Sequence, residues 1–138
     1  MTPTVAAEPP QVHRSASNPI VLIVEDDEAV REGLRELLES EDFGVVLVDE
    51  GREALRLLHA GLEPAVILLD LMMPGMDGWD FRHVQRRDPV LKDIPVVVIT
   101  AAGITAASGR AQLGDVQVIA KPLEPSVILR AIARARSH

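Results

Sequence analysis

Apolar residues occur along this chain in two textures, unbroken runs and spaced repeats. Ile20-Val21-Leu22-Ile23-Val24 is a continuous run rich in β-branched residues, the pattern of a strand buried on both faces. It stops at Glu25-Asp26-Asp27-Glu28. Val30, Leu34, Leu37 and Leu38 then recur at helical spacing among charged residues. Gly44 ends that helix, and Val45-Val46-Leu47-Val48 predicts a second strand. Ala54, Leu55, Leu57 and Leu58 predict an amphipathic helix over 51–60, closed by Gly61. Ala65-Val66-Ile67-Leu68-Leu69 is a third buried strand, ending at Asp70. Asp77 suits the cap of a helix carrying Trp79, Phe81 and Val84. Pro95-Val96-Val97-Val98-Ile99 is a fourth strand, ending at Thr100, and 116–120 a shorter fifth, ending at Lys121. Pro125 suits the first position of a last helix with Ile128, Leu129 and Ile132. The span 101–113, rich in Ala and Gly, predicts a short, marginal fourth helix.

Buried strands alternating with crossover helices predict an α/β fold: a doubly wound, five-stranded parallel sheet with helices on both faces. Residues 1–19 differ. They hold four of the ten prolines and show neither period. They read as a disordered, Pro-rich tail ahead of a folded domain over 20–138.

In such a sheet ligands bind beyond the carboxyl ends of the strands. There the sequence sets Glu25 and Asp26 after strand one, Asp70 after strand three, Thr100 after strand four and Lys121 after strand five. Three carboxylates together repel one another, and a hard divalent cation relieves the conflict. An oxygen donor set without Cys or His favours Mg²⁺. Mg²⁺ commonly joins carboxylates to a phosphate. Lys121 would then neutralise a phosphoryl oxygen, Thr100 would donate to another, and Asp70 would serve as the oxygen nucleophile. The loop Asp70-Leu71-Met72-Met73-Pro74-Gly75-Met76-Asp77-Gly78 turns sharply beside the site, and the Met72 carbonyl is a further candidate ligand.

Composition narrows the field. The net charge is −7, which disfavours direct nucleic-acid binding through a basic surface. There is no Cys, so disulfides, thiolate metal sites and thiol nucleophiles are excluded. No apolar run approaches the roughly 20 residues needed to span a bilayer. With only Phe43, Trp79 and Phe81 aromatic, the core must be aliphatic.

The motifs Val24-Glu25-Asp26, Asp70-x-x-Met73-Pro74-Gly75-Met76-Asp77-Gly78, Ile99-Thr100-Ala101 and Lys121-Pro122 stand in order, each at a strand end. Asp26, Asp70, Thr100 and Lys121 follow at intervals of 44, 30 and 21 residues. Together they resemble the CheY-like receiver domains of two-component response regulators, over nearly all of the folded part. The resemblance implies a flavodoxin-like (βα)5 fold with strand order 2-1-3-4-5. Asp70 would accept a phosphoryl group from a phosphohistidine on a sensor histidine kinase or phosphotransfer protein. Asp26 would bind Mg²⁺ directly and Glu25 through water. Asp27 falls one place past the acidic pair and would not be a ligand. Thr100 would couple the site to a face formed by the fourth helix, fifth strand and fifth helix, where a downstream protein docks. Lys121 would hold the phosphoryl group, with a cis bond to Pro122. Val118 departs from the family pattern, because many receivers carry Tyr or Phe there as half of the switch.

Taken singly, these residues have plainer explanations. Glu25 to Glu28 suit an acidic helix start. Thr100 suits a strand-end hydroxyl, and Lys121 a surface lysine. The four histidines share no metal spacing, and Met72, Met73 and Met76 suit loop packing. Arg130, Arg134 and Arg136 form a basic strip, solvated or facing an acidic partner. Taken together, they predict a cytoplasmic, stand-alone phospho-accepting switch, with self-catalysed phosphorylation and dephosphorylation and no external substrate. It would act through a partner, a homodimer or onward phosphoryl transfer. The alternative is a non-phosphorylated pseudo-receiver acting as a binding module. A phosphohydrolase would want an acid where Met72 stands, and no nucleotide-binding glycine motif occurs.

Overall fold

The computed structural model describes residues 12–13, 18–101 and 113–137. In chain order its elements are β1 (Val12–His13), β2 (Ile20–Val24), α1 (Glu28–Ser40), β3 (Gly44–Val48), α2 (Gly51–His59), β4 (Val66–Asp70), α3 (Gly78–Arg87), β5 (Val96–Thr100), β6 (Gln117–Ala120) and α4 (Pro125–Arg136). Five strands pair in parallel, as the sequence pattern predicts, and their order β3-β2-β4-β5-β6 is the one the family resemblance implies. One feature differs. Val12–His13, inside the stretch read as a disordered tail, pairs antiparallel with Val46 and Val45 at the β3 edge. Two ladder residues carry too little pattern to be legible as a strand. The helix expected within 101–113 falls on residues 102–112, outside those described.

Strands β2 to β5 are buried on both faces because their side chains alternate between two cores, whereas β6 is half-buried. Leu22, Val24, Val46, Val48, Ile67, Leu69 and Val98 face α2 and α3, and with Phe81 form one core. Val21, Ile23, Val45, Leu47, Leu68, Val97 and Ile99 face α1 and α4 and form the other. Asp77 and Pro125 take the helix-start roles expected of them, and Asp27 takes a capping role that the sequence reading did not assign. Asp27 and Asp77 cap α1 and α3 by accepting from the N–H groups of Val30 and Asp80. Pro125 opens α4.

The chain winds outward from β2 to β3 on one side and through β4, β5 and β6 on the other. The order therefore reverses between β2 and β4, and a crevice forms above their carboxyl ends. Glu25 and Asp26 follow one of these strands and Asp70 ends the other.

Phe81 is fully buried, whereas Val90 is 79% exposed. Phe81→Ala is expected to cost about 3–5 kcal/mol and Val90→Ala less than about 0.5 kcal/mol, read from urea unfolding midpoints.

Candidate functional site

The carboxylates of Glu25, Asp26 and Asp70 each offer an oxygen, all within 4.8 Å of one another. Asp26 is exposed, while Glu25 and Asp70 are buried, at 0% and 2% exposure. Lys121 follows β6 and points its ammonium into the same edge. Its Nζ lies 3.0 Å from Glu25 Oε1 and 3.6 Å from Asp70 Oδ2. The contact to Oε1 is an ion contact rather than an aligned hydrogen bond, since that oxygen has no hydrogen-bond partner among the described residues. The Lys121–Pro122 bond is cis.

Local backbone fixes the two buried acids. Glu25 Oε2 accepts from the Asp27 N–H at 3.0 Å, and Asp70 Oδ1 accepts from the Met72 N–H at 3.1 Å. Thr100 is 2% exposed, and its Oγ1 has no hydrogen-bond partner among the described residues. A buried hydroxyl without a partner is costly, and an added oxygen-rich group would satisfy it.

The electrostatics show an incompletely balanced site. Burial pushes the Glu25 carboxyl up to about 7. The Asp27 N–H and Lys121 pull it down, and Asp70 pushes it up further. Burial works against the charged form of Lys121, but the close contact and charge of Glu25, with the charge of Asp70, outweigh it and hold the ammonium above its usual pKa. Among the described residues, Lys121 makes ion contacts with two of the three clustered acids. The donors are all oxygens, as a hard divalent cation requires.

The loop after β4 is held close. Gly78 lies so near the β4 end that a Cβ there would strike the Asp70 carbonyl oxygen and sit 2.7 Å from Leu71 Cα. The Gly78 N–H donates to the Leu71 carbonyl at 3.1 Å. Gly51, at the start of α2, donates to the Met76 carbonyl at 3.0 Å, and a Cβ there would lie 2.9 Å from that oxygen. Met73 packs into the core and Met76 against it, but Met72 is 61% exposed. Loop packing therefore accounts for two of the three methionines. His59 and His83 are exposed, and His59 pairs with Asp88 at 2.8 Å. Val118 is half-buried and lines a groove of about 330 Å³ with Ile119, Ala120, Pro122, Glu124 and Val127.

Sequence reasoning missed three polar residues. Arg31 Nη1 donates to the Glu25 and Asp26 carbonyls. Arg82 is buried, donating through Nε to the Leu113 carbonyl at 2.7 Å and through Nη1 to Gln85 Oε1 at 2.7 Å. Burial, and then the neighbouring charge of Arg86, bring the Arg82 guanidinium down to about 10. Gln85 donates in turn to the Leu91 and Ile94 carbonyls. The available signal was position: Arg82 and Gln85 fall on the apolar stripe of α3 with Phe81.

The family model described as the response regulator receiver domain matches residues 21–133. The response regulator Rre1 of Synechocystis sp. is 39% identical over 116 residues, covering 83% of this chain and 49% of Rre1. The two-component response regulator ORR5 of Oryza sativa is 32% identical over 117 residues, covering 84% of this chain and 87% of ORR5. The chain thus spans about half the length of Rre1 and most of ORR5. A response regulator structure from Chloroflexus aurantiacus superposes with a TM-score of 0.81 at 28% identity, covering 88% of this chain and all of the other.

Two outcomes follow from this geometry. Glu25 is raised from 4.5 to about 7, so its contribution to stability is complete below pH 4.5 and lost as pH rises through 7. In EDTA, wild-type stability should therefore carry a downward component of order 1–3 kcal/mol across that window. Glu25→Gln should flatten it in urea titrations at several pH values. Gly78→Ala should cost about 1–3 kcal/mol by forcing α3 off the Asp70–Leu71 backbone, measured the same way.

Proposed function

The chain belongs to the response regulator receiver domain family, and on that premise we propose that Asp70 is its phosphoryl acceptor. The observation that carries this reading is the convergence of three carboxylates within 4.8 Å, with Lys121 Nζ 3.0 Å from Glu25 and 3.6 Å from Asp70. A charge cluster of this kind has no packing purpose, since apolar residues would fill the same space at lower cost.

The donor set fits Mg²⁺. Asp26 and Asp70 would hold it directly with the Met72 carbonyl, and Glu25 through water. When bound, it neutralises carboxylate and phosphoryl charge. The chain's own residues do the rest. The Asp70 carboxylate, held at Oδ1 by the Met72 N–H, presents an oxygen to phosphorus. The O–P bond forms as the N–P bond to the donor imidazole breaks, and the imidazole leaves with a proton from solvent. Lys121 lies beside the acceptor to offset the added negative charge. The Thr100 hydroxyl, without a partner in the described structure, gains an acceptor in the phosphoryl group. Water later cleaves the O–P bond and restores Asp70. In this reading the chain phosphorylates itself and acts on no external substrate.

The donor is a sensor histidine kinase or phosphotransfer protein, and the exchange takes place in the cytoplasm. The signal passes through the face built on β6 and α4 to a downstream protein. Val118 cannot supply an aromatic in/out movement. The readout on this face then rests on Thr100 and on the shape of the groove that Val118 lines.

Acetyl phosphate with Mg²⁺ should add one phosphoryl group to the wild type by intact mass spectrometry. EDTA and Asp70→Asn should each abolish it. Labelling of Asp70→Asn at the wild-type level would overturn the assignment. Because protonated Glu25 removes one negative charge from the cluster, Mg²⁺ affinity should fall as pH drops below about 7, read by titrating the fluorescence of Trp79.

A further inference from the structure

The acidic pair sits on a stretch of backbone that belongs to neither the sheet nor a helix. Val24 is the last residue of β2, and Asp27 is already the cap of α1. The Glu25 N–H still donates to the Val48 carbonyl at 3.1 Å. The carbonyls of Glu25 and Asp26 receive no backbone N–H among the described residues. Arg31 reaches back from the first turn of α1 to supply both. A single guanidinium nitrogen, Nη1, lies 2.9 Å from the Glu25 carbonyl oxygen and 3.1 Å from that of Asp26.

We propose that Arg31 is a positioning residue for the cation site, acting by clamping the Glu25 and Asp26 peptides together. Two charge-assisted hydrogen bonds from one nitrogen fix two consecutive peptide planes. Those planes set the directions in which the Glu25 and Asp26 side chains leave the backbone. The clamp acts with two others on the same turn: Glu25 Oε2 on the Asp27 N–H, and Asp27 Oδ1 on the Val30 N–H at 3.1 Å. Among the described residues, only the Arg31 contacts tie the helix back to the carbonyl side of the acidic pair. Both of its hydrogen bonds go to carbonyl oxygens, which leaves the carboxylates to the cation and to Lys121. Mg²⁺ demands near-ideal octahedral geometry, so a loosened turn costs affinity before it costs fold. Groups that orient metal ligands typically change affinity by about 10- to 100-fold when removed.

This inference rests on the phosphoryl-acceptor reading, and its test separates the two. The full chain is titrated with MgCl₂ by calorimetry as wild type, Arg31→Met and Arg31→Lys, and each is melted in EDTA. Met keeps the apolar stem and removes the donor. Lys keeps one cationic nitrogen, which is all the two contacts use. Arg31→Met should bind Mg²⁺ about 10- to 100-fold more weakly, with Arg31→Lys recovering most of the loss. Acetyl phosphate labelling of Arg31→Met should return when Mg²⁺ is raised to match. Wild-type Mg²⁺ affinity in folded Arg31→Met overturns the inference alone, even where its melting temperature in EDTA is lower. If Arg31→Met does not fold, Arg31→Gln decides by the same comparison. A wild type that binds no Mg²⁺ overturns the acceptor reading and the inference together.

Discussion

The ion contact between Lys121 and Glu25, 3.0 Å long and at the edge of a buried site, is the constraint on which the rest depends. Glu25 is fully buried, and a buried carboxylate is expensive unless it is paired. Lys121 offsets that cost only in part, because the Glu25 carboxyl still sits at about 7. The remaining acids, Asp26 and Asp70, add charge that the lysine cannot balance. The protein therefore holds a site with unmet demand for positive charge. In the proposed function a divalent cation would meet that demand, and a phosphoryl group would then meet the demand of Lys121 and Thr100 for negative oxygen.

Holding such a site requires a rigid frame. The parallel sheet supplies it by bringing every strand's carboxyl end to one edge, with an aliphatic core on each face. Close backbone contacts then pin the loops to that edge. Gly78 touches the Asp70–Leu71 backbone, and Gly51 holds the Met76 carbonyl. Arg82 and Gln85 brace α3 from behind by bonding the carbonyls of Leu113, Leu91 and Ile94. A buried guanidinium satisfied mainly by neutral acceptors is costly, so this brace is a specific feature of the chain rather than a generic means of stability.

Much of this was legible before any coordinates. Val21 to Val24 and Val96 to Ile99 are continuous apolar runs, and only strands covered on both faces want them. The capping role of Asp77 and the opening of α4 at Pro125 followed from local chemistry. Glu25, Asp26, Asp70, Thr100 and Lys121 were legible as a group because each closes an apolar run, and a parallel sheet sends all such ends to one place. Arg82 and Gln85 were not legible, because a polar residue on an apolar stripe declares no partner. The pairing of Val12–His13 with β3 was not legible either, since its hydrogen bonds depend on which edge lies near.

The sequence by itself determined the elements from β2 to α4 among the described residues, the two-sided burial of β2 to β5 and the set of residues gathered at the strand ends. Those properties depend on local periodicity, which 138 residues record directly. Only the tertiary structure decided that Lys121 pairs first with Glu25, that Glu25 is buried while Asp26 is exposed, and that Arg31 holds the turn carrying both. Distances between groups far apart in sequence, and the desolvation that sets their charge, exist only once the chain has closed around them.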